Sequence, residues 1–532
     1  MSITRKQLLQ GAAVATTAAV AANAGAALAD DQKQSWEPEW TDEADLIVVG
    51  FGGSGVMATI AGIEAGCSVI ALEKTATREG GNMARSGGQL HEVDYDIDEW
   101  YSIYKHGCYG ADCDERTIRA YMAFTNETPE WFEKYDIPVD WTETKGDGRK
   151  TPPLYLMGSI ANQEGTMGRH LYKALNEAAT ERDADVRCST RAKRLVQNPF
   201  TKEICGVIAE GPNGETLNFK AHKAVIMACG GYENNQWMLY NYFSPGIKFY
   251  ATNVNNTGDG FPMVTEVGAA LWHMGLVEAT TEVYNVPSDE LGVRCAASLR
   301  SSTLGSSSNY KFIFVGKNAK RYCNEKSAVG HKHGCFPEFI YDDDNFDFAL
   351  RPMFMIFDQS MFDDTNPLSK SGGDGWPSNE YAVEKGWIFK GETIEELAAN
   401  IKSNTACTLE EDWINGIDAD TLRATVADYN QYCEDGEDPE FGRKPEEMLP
   451  LDNPPFYAIE LGNGLMNTNG GPQRNEYAQT LNGYGETIPR LYNTGEFGSF
   501  NGLLYNFGNL MEAVTTGRVA AQHAATLEAW DA

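Results

Sequence analysis

Leu46-Ile47-Val48-Val49-Gly50-Phe51-Gly52-Gly53-Ser54-Gly55 joins an apolar run to a glycine-rich turn, and a second apolar run, Val69-Ile70-Ala71-Leu72, ends at Glu73, 23 residues after Gly50. The stretch between the runs is helix-like, so the order is strand, glycine turn, helix, strand, acid: the pattern of a unit that holds an adenine dinucleotide. Gly50 permits the tight turn, Gly52 lets backbone approach a pyrophosphate, and Gly55 lets helix and strand pack closely. Gly53 and Ser54 open the helix, whose free N–H groups and positive dipole end face the phosphates. Glu73 is placed to accept hydrogen bonds from a ribose diol.

Outward from this unit, residues 44–74 form the first β-α-β element. A second glycine turn follows at Glu79-Gly80-Gly81-Asn82-Met83-Ala84-Arg85-Ser86-Gly87-Gly88. Helical apolar spacing marks 111–136 and 166–182, with Leu171, Leu175 and Ala178 on one face. Strand-like pieces at 192–196 and 205–210 lead to Ala224-Val225-Ile226-Met227-Ala228-Cys229-Gly230-Gly231, an apolar strand ending on paired glycines, where backbone meets a ligand. Thr257-Gly258-Asp259-Gly260 opens another small helix. From about 280 to 450 the periodicity becomes irregular, with clusters such as Tyr341-Asp342-Asp343-Asp344, and this is read as an inserted domain. The end of the chain returns to glycine-rich strands, including Asn493-Thr494-Gly495-Glu496, and closes with a helix from Gly508-Asn509-Leu510 onward.

The chain has 532 residues, too many for one ordinary core, and its 42% hydrophobic and 22% charged shares are those of a globular protein. With 43 Lys and Arg against 76 Asp and Glu, its formal charge of −33 favours solubility and repels phosphate backbones, which argues against a nucleic-acid partner. An acidic surface also suits docking of a basic redox partner. Residues 1–29 read as an export signal: Arg5 and Lys6 precede a small-residue apolar run, and Ala27-Leu28-Ala29 before Asp30 has the form of a cleavage site. Thr4-Arg5-Lys6-Gln7-Leu8-Leu9 resembles a twin-arginine signal with Lys6 in place of the second arginine, so the expected location is the periplasm or the outer face of the membrane. No other stretch is long and apolar enough to span a membrane. The eleven cysteines include no C-x-x-C pair, so neither a c-type haem nor a common metal centre is signalled; Cys108 and Cys113 are the nearest pair.

Taken together, the ordered set GxGxxG, Glu73, GGN at 80–82, SGG at 86–88, CGG at 229–231, TGDG at 257–260 and TGE at 494–496 resembles the flavoprotein family that includes fumarate reductase, succinate dehydrogenase, urocanate reductase and the 3-ketosteroid dehydrogenases. The resemblance implies FAD, held by Gly50, Gly52, Gly53, Ser54, Gly55, Glu73, Lys74, Asn82, Met83, Gly87, Gly88, Ala192, Gly230, Asp259, Glu496, Asn509 and Leu510. It implies an α/β fold: a Rossmann-like FAD-binding domain at 44–276 and 453–532, after a linker at 30–43, with an inserted α+β capping domain at 277–452. The implied chemistry is hydride transfer between flavin N5 and one carbon of a conjugated C=C bond, with a protein acid serving the other carbon. Electrons would come from a separate membrane-linked donor such as a cytochrome.

Lys320-Arg321-Tyr322-Cys323-Asn324-Glu325 resembles the family segment that ends on a proton-pathway glutamate, which makes Glu325 the first catalytic candidate, with Arg321 and Tyr322 beside it. The family's acid arginine should follow Phe354-Met355-Ile356-Phe357-Asp358-Gln359, where this chain has Ser360-Met361-Phe362. Its substrate-binding histidine falls near Asn467 and its carboxylate-binding arginine near Tyr505. Loss of those cations removes the partners of a carboxylate substrate, so an enoate, enone or lactone is expected rather than fumarate. Tyr505 is the second catalytic candidate, as acid or carbonyl donor. Two alternatives stay open: a ketosteroid-type dehydrogenase, and an electron-transfer flavoprotein without an organic substrate.

Overall fold

Leu46, Ile47 and Val48 are fully buried at the heart of strand β1 (Asp42–Val49), covered on both faces as a continuous apolar run requires. The chain turns at Gly50, forms helix α1 (Gly53–Glu64) and returns as β2 (Val69–Leu72), parallel to β1. In this computed structural model the described residues are 36–93, 95–107, 114–146, 148, 152–160, 167–243, 249–250, 253–283, 297–299, 311–328, 340–344, 347–365, 368–370, 376–403, 414–500 and 508–531. Helix α2 (Met167–Glu181) carries the expected stripe of Leu171, Leu175 and Ala178, all buried. It is followed by β3 (Asp185–Arg187), β4 (Arg191–Gln197), β5 (Ile204–Glu210) and β6 (Thr216–Met227).

A second sheet takes in the short strand Phe249–Tyr250 and then β7 (Val277–Val283), β8 (Phe312–Val315) and β9 (Met353–Asp358). Helix α3 (Ala419–Asp435) is started by the Asp418 carboxylate, which accepts the Thr421 N–H at 2.7 Å, and stopped by Gly436 at φ 68°. It lays Leu422, Val426 and Tyr429 on one face of this sheet, against Ile313, Phe354 and Ile356. Phe312, Met355, Trp376 and Trp387 fill the opposite face. Each fully buried side chain of this kind stabilises by about 1.5–3 kcal/mol.

The 13-residue strand β10 (Phe456–Thr468) lies in the middle of this cap sheet, between β9 and β7. The chain therefore rejoins the first sheet after 468 and not at 453. There β11 (Gln479–Leu481) and β12 (Thr487–Asn493) complete the strand order β11-β12-β6-β1-β2-β3, with β5 and β4 branching from β6. The closing helix α4 (Asn509–Ala525) packs along α1, and a Cβ added at Gly517 would press on the Ser54 backbone. No helix among the described residues is long and apolar enough to cross a membrane.

Candidate functional site

The carboxyl ends of four neighbouring strands finish level: Val49 stands opposite Leu72 and Met227, and Met227 opposite Asn493. The residues that follow are Gly50, Glu73, Ala228 and Thr494, so all four connections open at one edge, where parallel sheets bind their ligands. They line a single cleft, faced by the 79–87 turn, by Asn253, Asn255 and Asn256, by Met466 and Asn467, and by Asn509 and Leu510.

The backbone fits a dinucleotide. Gly50 sits at φ +100°, and a Cβ there would stand 3.0 Å from the Ala228 carbonyl carbon. A Cβ at Gly55 would meet the Gly50 carbonyl carbon at 2.9 Å, so the helix can approach the strand this closely only without a side chain. A Cβ at Gly52, by contrast, would make only ordinary contacts across the cleft, 3.8 Å from Gly80 O and 4.0 Å from Gly81 Cα, so the protein's own packing does not exclude a side chain there. No side chain caps the start of α1, so its first N–H groups are available to a phosphate. Glu73 is fixed at the rim: Oε2 accepts the Phe51 N–H at 3.0 Å, and Oε1 accepts the Thr75 N–H at 2.9 Å and its hydroxyl at 2.8 Å. Oε2, which accepts a single bond, retains capacity for a ribose hydroxyl.

Farther along, Asp259 gathers Lys74 Nζ at 2.8 Å and Arg191 Nη2 at 2.7 Å. Burial alone would raise the Asp259 carboxyl, but the hydrogen bonds from Arg191 and Lys74 outweigh it and hold it below the usual range. Asn82 Nδ2 donates to Glu496 Oε2 at 2.9 Å and to Glu233 Oε1 at 2.7 Å. Burial, reinforced by the neighbouring Glu233 charge, raises Glu496 well above an ordinary carboxylate. Burial likewise pushes the Cys229 thiol up to about 12, so it contributes shape to the cleft and no thiolate.

The structure brings Gly50, Gly52, Gly53, Ser54, Glu73, Lys74, Asn82, Met83, Gly87, Ala192, Gly230, Asp259, Glu496, Asn509 and Leu510 together around this cleft. Gly55 and Gly88 stand one layer behind it: Gly55 under the turn, and Gly88 against the start of α2, where a Cβ would lie 2.6 Å from Met167 Cβ. Arg321, Tyr322 and Glu325 are not among the described lining residues. Glu325 is fully buried in the cap, where it accepts from Arg321 Nε at 2.8 Å, Arg443 Nη1 at 3.2 Å and the Phe314 N–H at 3.3 Å. The i, i+4 spacing of Arg321 and Glu325 closes this pair, and Asp438 takes the other edge of the guanidinium at 2.9 Å. Tyr322 stacks on Phe314 with ring centroids 6.4 Å apart. Tyr505, Cys108 and Cys113 lie outside the described residues.

Arg191, Asn253, Asn256 and Glu233 were not legible as site residues. Arg191 stands one position before the expected Ala192, and the asparagines run directly into Thr257-Gly258-Asp259-Gly260, of which only Asp259 was expected at the site. Glu233 directly follows Gly230-Gly231-Tyr232, a strand-end position that carries a carboxylate into the interior.

The model of the family described as "FAD binding domain" matches residues 45–503. Digoxin reductase of Eggerthella lenta is 26% identical, over 93% of this chain and 89% of its own length. Urocanate reductase of the same organism is 27% identical, over 92% of this chain and 75% of its own. The crystal structure of 3-ketosteroid delta1-dehydrogenase from Sterolibacterium denitrificans, in complex with 1,4-androstadiene-3,17-dione, shares the fold with a TM-score of 0.73 at 21% identity, covering 91% of this chain and 100% of that one. With the match spanning residues 45–503 and a cleft shaped for the dinucleotide, the chain belongs to the FAD-binding domain family and is an FAD-dependent oxidoreductase.

Proposed function

We propose that this protein is an exported reductase of a conjugated C=C bond in a small molecule, an enone, enoate or lactone rather than fumarate. The observation that carries this reading is the amide character of the cleft wall at Met466 and Asn467, where Asn467 Nδ2 is already tied to Asn469 Oδ1 at 2.9 Å. The cations among the described lining residues are Lys74, Arg85 and Arg191; Asp259 engages Lys74 and Arg191, and Arg85 is exposed on the 79–87 turn. A carboxylate substrate is best held by a free guanidinium fork, whereas a ketone or lactone carbonyl needs only a neutral donor. Relatives named as reductases of digoxin and of urocanate favour the reductive direction.

Bound FAD supplies the hydride. The protein's part is to lay the alkene along the cleft, polarise the conjugated carbonyl and deliver a proton. Tyr505 is assigned the proton or carbonyl hydrogen bond, and the Arg321–Glu325 pair, with Tyr322 beside it, the relay of protons through the cap. Electrons would reach the flavin from a separate membrane-linked carrier such as a cytochrome, and the signal-like pattern at 1–29 supports a reaction outside the cytoplasmic membrane.

Purified holoprotein under anaerobic conditions, with a reduced viologen dye as donor, tests this against a panel of enones, lactones, enoates, urocanate and fumarate. A neutral conjugated carbonyl should give a kcat/KM at least about tenfold above that for fumarate, a difference of ~1.4 kcal/mol in transition-state binding. Fumarate as the best substrate would contradict the reading. Tyr505→Phe should lower kcat by about 10²- to 10⁴-fold with FAD retained; an unchanged kcat removes Tyr505 from the chemistry.

A further inference from the structure

Two carboxyl groups meet at the flavin cleft, and the FAD-binding pattern accounts for only one. Glu496 lines the cleft, and Glu233 is fully buried behind it. Two amides clamp them together: Asn82 Nδ2 donates to Glu233 Oε1 at 2.7 Å and Glu496 Oε2 at 2.9 Å, and Asn256 Nδ2 to the same oxygens at 3.0 and 3.4 Å. The remaining oxygens converge over Gly231, where a Cβ would stand 2.5 Å from Glu233 Oε2 and 2.6 Å from Glu496 Oε1. Glu496 Oε1 accepts the Thr468 N–H at 3.1 Å, while Glu233 Oε2 is buried without a donor.

Among the described residues no cation bonds to either carboxyl. Tyr232, on the same turn as Glu233, gives its hydroxyl to the Met274 carbonyl. Arg474 reaches the Gly495 carbonyl at 3.1 Å but is paired with Glu512. Lys74 and Arg191 are held by Asp259, and Glu79, on the turn that carries Asn82, accepts from Asn255 Nδ2 at 3.1 Å. Two buried carboxylates this close, neutralised by nothing but amides, cannot both ionise.

We propose that Glu233 and Glu496 share one proton, so that Glu496 presents a neutral carboxylic acid to the bound flavin while Glu233, a positioning residue, holds the negative charge one layer behind it. Burial raises both carboxyls, that of Glu496 with the added charge of Glu233, and a proton on Glu496 Oε1 would give Glu233 Oε2 the donor it lacks. The pair titrates as a unit. The inference rests on occupancy of the cleft by FAD and is independent of the substrate.

The test compares E233Q and E496Q with wild type as FAD-loaded protein, by infrared spectroscopy and by redox titration of the flavin across pH. Wild type should show the C=O stretch of a protonated carboxylic acid at neutral pH, shifted in deuterium oxide and removed in E496Q. In E233Q the new amide donates to Glu496 and lets it ionise beside the flavin. Reduced flavin should then bind at least about tenfold more weakly relative to oxidised flavin, a fall of ~30 mV in midpoint potential. E496Q, whose amide mimics the neutral acid, should stay near the wild-type potential. Either variant decides alone: E496Q that keeps the infrared band, or E233Q that keeps both the band and the wild-type potential, overturns the proposal. Equal shifts in both variants would reduce the pair to a structural role and overturn it as well.

Discussion

At Gly50 a side chain is excluded twice, by φ +100° and by the Ala228 carbonyl, so Gly50→Ala should abolish FAD retention, read as loss of flavin absorbance after gel filtration. Glu73→Ala is a milder probe. It leaves the Phe51 and Thr75 N–H groups without their acceptor and removes the charged acceptor proposed for the ribose, and hydrogen bonds to charged groups contribute about 1.5–3 kcal/mol each. FAD should bind about tenfold or more weaker by fluorescence titration; unchanged binding would show that Glu73 does not touch the cofactor. Residues of this kind were legible in the sequence because each sits at a fixed offset from a glycine turn at a strand end. Glu233 was not, because spacing does not reveal which polar residue after a strand turns inward. Asn256 enters the site through Glu233 and Glu496, and Arg191 through Asp259, partners 23 to 240 residues away along the chain.

Elements carry the site by what they fix at their ends. Helix α4 presses on α1, and α1 aims its N-terminus at the phosphate position; Ala521, fully buried at this contact, tests the coupling. Ala521→Leu should cost about 1–3 kcal/mol by overpacking and weaken FAD binding through the displaced helix start. In the cap, the buried Arg321–Glu325–Arg443 cluster joins β8 to the segment after α3. Glu325→Gln leaves guanidinium charge uncompensated and should destabilise by roughly 3 kcal/mol or more in urea unfolding. If kcat falls with the pH profile altered while the remaining folded protein binds FAD normally, the relay role stands; loss of stability alone would leave Glu325 a strut. The β-α-β element and the Leu171 helix were legible through their apolar period. The membership of β10 was not, because its Gly462-Asn463-Gly464 resembles the glycine-rich return to the cofactor domain, and only pairing with β7 and β9 reveals it as a cap strand. Its last residues, Met466 to Thr468, then deliver the cap sheet directly into the flavin cleft.

For the whole molecule, charge and protonation set the working range. Asp259 and Asp438 both lie below the ordinary carboxylate range, in each case because hydrogen bonds from arginine, joined at Asp259 by Lys74, outweigh burial. Their contribution is fully present above the unfolded carboxyl value of about 4 and is lost as pH falls through the lower folded values. Glu233 and Glu496 act oppositely: the folded state keeps a proton that the unfolded chain sheds above about 4, so they erode stability as pH rises. Asp259→Asn should therefore cost more at neutral pH than in acid, and Glu496→Gln should flatten the decline that sets in above about pH 4, both measured by urea unfolding at fixed ionic strength. With a formal charge of −33, docking of a basic electron donor on this surface should weaken steeply with salt. The central claim concerns what the reduced enzyme reacts with, and stopped-flow reoxidation of the dithionite-reduced holoprotein under nitrogen tests it most directly. A conjugated enone or unsaturated lactone should return the flavin spectrum to the oxidised form within the mixing experiment while fumarate does so at least about tenfold more slowly, the ratio expected where a carboxylate lacks its guanidinium partner; reoxidation by fumarate as fast as by any neutral carbonyl, or by none of the alkenes, would contradict the account.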